Sequence, residues 1–116
     1  MRLQHPSGQA AEELAAQFLQ AQHCRIIERN WHCPRGEIDL IVLDGSVCVF
    51  VEVRMRRSEA FGGAASSITP AKLRKMHLTA QWYLQQRGQP EPVCRFDAVL
   101  IDGHGHIQWL KHILEY

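Results

Sequence analysis

The sequence predicts one α/β domain whose mixed five-stranded sheet is flanked by helices, with elements in the order αβββαββ. Three observations carry that prediction. Apolar residues recur at helical spacing over 8–22 and again over 69–87. Between them, 36–57 (GEIDLIVLDGSVCVFVEVRMRR) reads as two runs of strand-forming residues about an Asp-Gly turn. Beyond the second helical stretch, 94–101 and 107–110 return to strand-like alternation across a Gly-rich turn. A chain of 116 residues has room for one core and not for two.

In chain order, residues 1–7 read as a flexible tail, with Ser7 placed to cap the first helix and 8–116 forming the single domain. In that helix Ala11, Leu14, Ala15, Phe18 and Leu19 form the apolar stripe. Glu13 falls opposite the stripe and Glu12 at its edge. A short strand over 24–28 follows, then a loop over 30–35 containing Pro34. The next strands cover 37–43 and 47–54, with Asp44-Gly45 as the turn. In the second of them Val47, Val49, Val51 and Val53 point one way, and Cys48, Phe50, Glu52 and Arg54 the other. The valine face suits burial under a helix. Residues 58–68 are small, Gly-rich and read as mobile; Thr69-Pro70 then starts a helix that Gly88 stops. Leu73, Met76, Ala80, Tyr83 and Leu84 form its buried stripe, and Ile113 and Leu114 pack the C-terminal tail back on the body.

Composition bounds the function classes. Apolar content of 46% and charged content of 22% are globular values and exclude a largely disordered chain. A formal charge of +1 neither requires nor forbids a polyanionic partner, so nucleic-acid affinity rests on local clusters. Two exist, Arg54, Arg56, Arg57 and Lys72, Arg74, Lys75, each equally readable as solvated surface. The cysteines at 24, 33, 48 and 94 lack paired zinc spacing, and free thiols fit a reducing compartment. No apolar run approaches the length of a membrane span, so the expectation is a cytoplasmic protein without a membrane partner.

The chemistry lies in the acids. Asp39 (EIDLIVL) and Glu52 (VFVEVR) are carboxylates on adjacent apolar strands. A two-residue turn at Asp44-Gly45 sets Asp39 across from Phe50 and diagonal to Glu52, and a four-residue loop sets it directly opposite Glu52. Either even case puts both acids on one face. Glu12 can join them where the first helix crosses the hairpin, although acids also suit the first turn of a helix for electrostatic reasons alone. Like charges about 4 Å apart repel by about 4 kcal/mol at an effective dielectric near 20. Such a cluster makes sense when a divalent cation neutralises it, and hard oxygen donors select Mg²⁺ or Mn²⁺. The metal ligands are then Glu12, Asp39 and Glu52. Arg54, Arg56, Arg57, Lys72 and Lys75 are placed to hold the phosphate backbone of a nucleic acid.

An acid on the first helix, then GEIDL, then a strand ending VFVEVR, resembles the PD-(D/E)xK arrangement of restriction-endonuclease-like folds. More closely, Gly8 with Glu12, Asn30, GEIDLI, VFVEVRMRR, Phe61-Gly62, the helix from Thr69 with Lys72, and RFDAVLI resemble the YraN-like family. That family is small and bacterial, with a fold similar to Holliday-junction resolvases. The resemblance runs from Gly8 to the C-terminus. It implies a restriction-endonuclease-like (tRNA-endonuclease-like) three-layer fold, with Asp39 as the metal-binding acid, Glu52 as the acid of E-x-K, and Glu12 as the helical acid of the resolvase-like branch. Arg54 stands where the motif has lysine. Arginine binds phosphate but cannot serve as a general base, so either Lys72 or Lys75 supplies a catalytic ammonium or the catalytic step is impaired. Arg54 reads equally as an ion-pair partner of Glu52. Three functions follow: a metal-dependent nuclease for structured or branched DNA, with Asp39, Glu52, Arg54 and Lys72 catalytic; a nucleic-acid-binding module without efficient catalysis; or a protein-interaction subunit, homodimer included, using Trp82, Tyr83 or Trp109, which otherwise belong to the core.

Overall fold

The computed structural model describes residues 8–55, 68–88 and 92–114. The readings of the 1–7 tail, Ser7, Arg56, Arg57, the 58–67 stretch and Phe61-Gly62 lie outside them. The elements are α1 (Gly8–Ala21), β1 (Arg25–Cys33), β2 (Gly36–Asp44), β3 (Val47–Met55), α2 (Pro70–Arg87), β4 (Cys94–Ile101) and β5 (Ile107–Leu110), in the order αβββαββ. The strands form one sheet in the order β1-β2-β3-β4-β5. Neighbours are antiparallel except β3 and β4, which are parallel and joined through α2. This is the mixed five-stranded α/β sheet that the pattern predicts.

The two helices cover opposite faces. Ala11, Ala15, Ala16 and Leu19 of α1 share a core with Leu40, Val42, Val49, Val51, Val53, Val99 and Ile101. Met76, Ala80 and Tyr83 of α2 pack with Ile38, Ile41, Cys48, Phe50 and Phe96. The valine face of β3 therefore lies under α1, and Cys48 and Phe50 lie under α2. The α1 stripe is turned by one residue from the predicted one: Leu14 is 42% exposed, and Ala16 takes its place in the core. That rotation carries Glu12 toward the sheet and leaves Glu13 outside, paired with Arg29 at 2.7 Å. The first turn of α1 holds no acid, so a helix-terminus role for Glu12 does not apply.

Helix ends follow local chemistry. α1 closes with His23 in the left-handed region (φ 71°), and the amides of His23 and Cys24 donate to the Gln20 and Leu19 carbonyls. Thr69 caps α2 by accepting from the Lys72 amide at 3.2 Å, and Gly88 ends it with φ 65°.

Two boundaries differ from the sequence reading, and both bear on the site. The β2–β3 ladder pairs Asp44 with Val47, so the two-residue turn is Gly45-Ser46 and not Asp44-Gly45. Gly45 supplies the positive φ (64°) that such a hairpin needs at its first central position. In addition β1 continues to Cys33, where a loop over 30–35 was expected. Trp31 is held in strand by its edge contact with the Tyr83 ring (5.1 Å, 80°). Asn30 meanwhile adopts φ 52°, a left-handed conformation that asparagine tolerates, leaving Pro34-Arg35 as the whole connection.

Gly36 begins β2 directly beneath α2, where an added Cβ would lie 2.8 Å from Thr79 Oγ1 at a backbone φ of +154°. The Thr79 hydroxyl is itself fixed, donating to the Lys75 carbonyl at 2.8 Å. Gly36→Ala is therefore expected to cost about 2–3 kcal/mol. Urea unfolding measures this, and a loss below about 0.5 kcal/mol would contradict the packing described.

Candidate active site: an acidic fork in the sheet

The β2–β3 ladder ends at Leu40–Val51, while β2 stays paired with β1 down to Gly36 and β3 stays paired with β4 up to Met55. The sheet thus forks beyond Leu40 and Val51. Asp39 sits in the crotch, and its Oδ2 accepts from the Val53 amide at 2.8 Å. A carboxylate replaces the carbonyl that a continued ladder would have supplied.

The alternation of β2 also breaks there. Leu40 and Val42 face α1, yet Ile38, of the same parity, packs on the α2 side. The β1–β2 ladder passes from Arg29–Leu40 to Trp31–Ile38 without pairing Asn30 and Asp39. Across from Asp39, Asn30 has its backbone in the left-handed region (φ 52°). Asp39 sits at this break in the alternation of β2. It meets Glu12, which comes from α1 on one face, and Glu52, which β3 presents with Phe50 on the other. Asn30 lies close enough to Glu12 to favour its ionised form.

The three predicted acids line one cavity of about 370 Å³, together with Glu37, Arg54, Lys72 and Lys75. Arg54 is ion-paired with Glu52, and its Nε is buried with no hydrogen-bond partner among the described residues. Both readings of Arg54 therefore meet in one residue: it is Glu52's counter-ion and lines the cleft. Lys72 and Lys75 are exposed on the opening turns of α2. Glu37 was missed by the sequence reading. Its signal was its place in GEIDL, two residues before Asp39 on the same strand.

Crowding the acids shifts their titration. Burial, then the hydrogen bond and charge of Asp39, raise the Glu12 carboxyl to about 7. Burial and the Glu52 charge raise Asp39 to about 6, against the Val53 amide, which favours its ionised form. Burial also raises Glu52, opposed by Arg54 and Lys72. Between about pH 4.5 and 7 the folded protein binds more protons here than the unfolded chain does. The stability contributed is complete below the unfolded values and is lost as pH rises through the folded ones. Wild type should thus lose thermal stability from pH 5 to 8 relative to Glu12→Gln. Parallel melting curves for the two proteins across that range would contradict this.

Among the described residues, no three His, Cys, Asp or Glu side chains form a group able to hold a metal ion together. Among them, too, no helix is long and apolar enough to cross a membrane. Of the aromatics considered for partner binding, Tyr83 is buried, Trp82 is half-buried, and Trp109 is half-buried against Phe18 while donating to Asp97 at 2.9 Å.

The sequence profile of the Uncharacterised protein family UPF0102 matches residues 11–101, a span that includes Glu12, Asp39, Glu52 and Lys72. A UPF0102 protein of Neisseria gonorrhoeae (strain NCCP11945) is 50% identical over 113 residues, covering 97% of this chain and 98% of its own. One from Nitrosomonas eutropha is 49% identical over 108 residues, covering 93% and 92%. A third, from Janthinobacterium sp. (strain Marseille), is 48% identical over 109 residues, covering 94% and 87%. The chain belongs to the UPF0102 family, the YraN-like family that its motifs resemble.

Proposed function

We propose that this protein is a divalent-metal-dependent nuclease of the PD-(D/E)xK kind, on a restriction-endonuclease-like fold, acting on structured or branched DNA. One observation carries the reading: Asp39 and Glu52 meet at the fork of the sheet, in a cleft bordered by Arg54, Lys72 and Lys75. Two apposed carboxylates at a gap in a sheet are a poor stability device, and cations on the same cleft suit a phosphodiester.

The donors fit a hard cation, since among the described residues the cleft offers carboxylate oxygens and neither thiolate nor imidazole. The fit is to Asp39 and Glu52 as the holding pair, with Glu12 behind them through its hydrogen bond to Asp39. Bound Mg²⁺ or Mn²⁺ would supply polarisation of a phosphoryl oxygen and a nucleophilic water. The chain's own residues do the rest. Lys72 and Lys75 hold flanking phosphates, and Arg54, which lines the cleft, favours the ionised form of Glu52 through their ion pair. Glu12, with a carboxyl raised to about 7, exchanges protons at neutral pH.

The test is incubation of the purified protein with four-way-junction, flap, single-stranded and duplex DNA, and with single-stranded RNA, in Mg²⁺ or Mn²⁺. Cleavage of a branched DNA that stops on chelation supports the proposal, and failure to cleave any of them overturns it. A second reading, binding without efficient catalysis, draws on Arg54, which takes the motif's lysine position and is tied to Glu52. It requires binding that weakens steeply with salt and survives Asp39→Asn.

A further inference from the structure

A second cavity, of about 420 Å³, opens further along α2, lined by Arg25, Glu28, Trp31, Tyr83, Gln86 and Arg87 among others. Its helical residues repeat those of the acidic cleft at a fixed interval. Lys72, Lys75 and Met76 line the first cavity, and Tyr83, Gln86 and Arg87, each eleven residues later, line the second. Eleven residues make about three helical turns, so both cavities open on the same side of α2, about 16 Å apart. They also share the β1–β2 hairpin as their opposite wall, because Trp31 pairs with Ile38, the neighbour of Asp39.

We infer that the two cavities form one track for a single nucleic-acid strand, with an unpaired nucleobase stacked on Trp31 in the second. This rests on the reading that the acidic cleft takes a phosphodiester. Trp31 is half-exposed at the cavity, and its ring is fixed edge-on to Tyr83. Tyr83 is buried, with the Arg87 guanidinium 5.7 Å from its ring centroid, so Trp31 is the indole platform available to a ligand. A fixed aromatic ring is what base stacking uses without regard to sequence. Arg25 and Arg87 outweigh Glu28 in charge and suit the adjoining phosphates, while Gln86 and Glu28 offer amide and carboxylate groups to a base edge. The volume is of the size that holds a small organic ligand such as a nucleotide. The 16 Å interval spans about five stacked nucleotides, and fewer if the strand is unstacked.

The test is fluorescence anisotropy on the full chain, without divalent metal, using labelled single-stranded DNA and RNA of a dozen nucleotides and a blunt DNA duplex. Trp31→Ala should weaken single-strand binding about 5- to 100-fold and leave duplex binding unchanged, while Trp31→Phe keeps most of the affinity. Arg25→Glu, at an exposed strand position, should also weaken single-strand binding. An oligonucleotide series carrying one abasic site at successive positions should show one position whose loss matters to wild type and not to Trp31→Ala. A fold defect alone produces no such dependence, and the DNA and RNA arms assign the sugar. Single-strand binding unaffected by Trp31→Ala and Arg25→Glu overturns the inference and leaves the cleft reading standing. A changed mass in light scattering at unchanged affinity also overturns it, making the cavity a contact between protein chains. If wild type binds no nucleic acid at all, the cleft reading falls as well.

Discussion

Asp39→Asn is expected to lower metal-dependent cleavage by about 10²- to 10³-fold and to leave the fold intact. The substitution keeps a side-chain oxygen to accept from the Val53 amide, so the crotch of the fork retains its hydrogen bond. It removes the charge that a cation needs and relieves the repulsion that burial and Glu52 impose on Asp39. Stability at pH 8 should therefore hold or rise while activity disappears. Asp39→Ala is the less informative variant, because an orphaned amide costs about 1–3 kcal/mol and confuses the two effects. Cleavage retained within about tenfold in Asp39→Asn would remove Asp39 from the chemistry.

The largest effect on stability should come from Asp97. It is fully buried on β4 and accepts from Arg95 Nε at 3.0 Å, Trp109 Nε1 at 2.9 Å and the His112 amide at 3.1 Å. Arg95 also donates to Asp44 at 2.7 Å, which ties the end of β2 to the same knot. One carboxylate thus joins β2, β4, β5 and the segment that follows β5. Asp97→Ala leaves a nearly buried guanidinium short of a partner and two donors unsatisfied, a loss of about 3–5 kcal/mol. For a domain of this size the melting temperature should fall by about 15 °C or more. A fall under about 3 °C would mean that Arg95 and Asp44 are sufficient without it.

The sequence made the helices and most strands legible because local chemistry and burial agree there. Thr69-Pro70 and Gly88 bracket α2 as cap and stop, and the β3 valines sit under a helix. Glu12, Asp39 and Glu52 could be nominated together from strand parity and helix phase. What parity could not deliver was the geometry of their meeting. A regular hairpin keeps Asp39 on one face, whereas here the alternation of β2 breaks between Leu40 and Ile38, across from a left-handed Asn30 in a stretch of polar residues that reads as loop. Side-chain pattern does not report a single positive φ. Glu37 escaped notice for a different reason: an exposed acid at a strand start is ordinary until the cleft that it lines is known. The Asp97 knot was equally hidden, since RFDAVLI alternates as any strand does, and its partners Asp44 and Trp109 lie far away in sequence.

The central claim is that the acidic fork is a cation site, and calorimetric titration of Mn²⁺ into the apo protein between pH 6 and 8 tests it most directly. Glu12 and Asp39 must give up protons to admit the ion, so affinity should rise with pH and protons should be released on binding. Both signals should vanish in Asp39→Asn. Binding that is absent, indifferent to pH, or unchanged in Asp39→Asn would contradict the account.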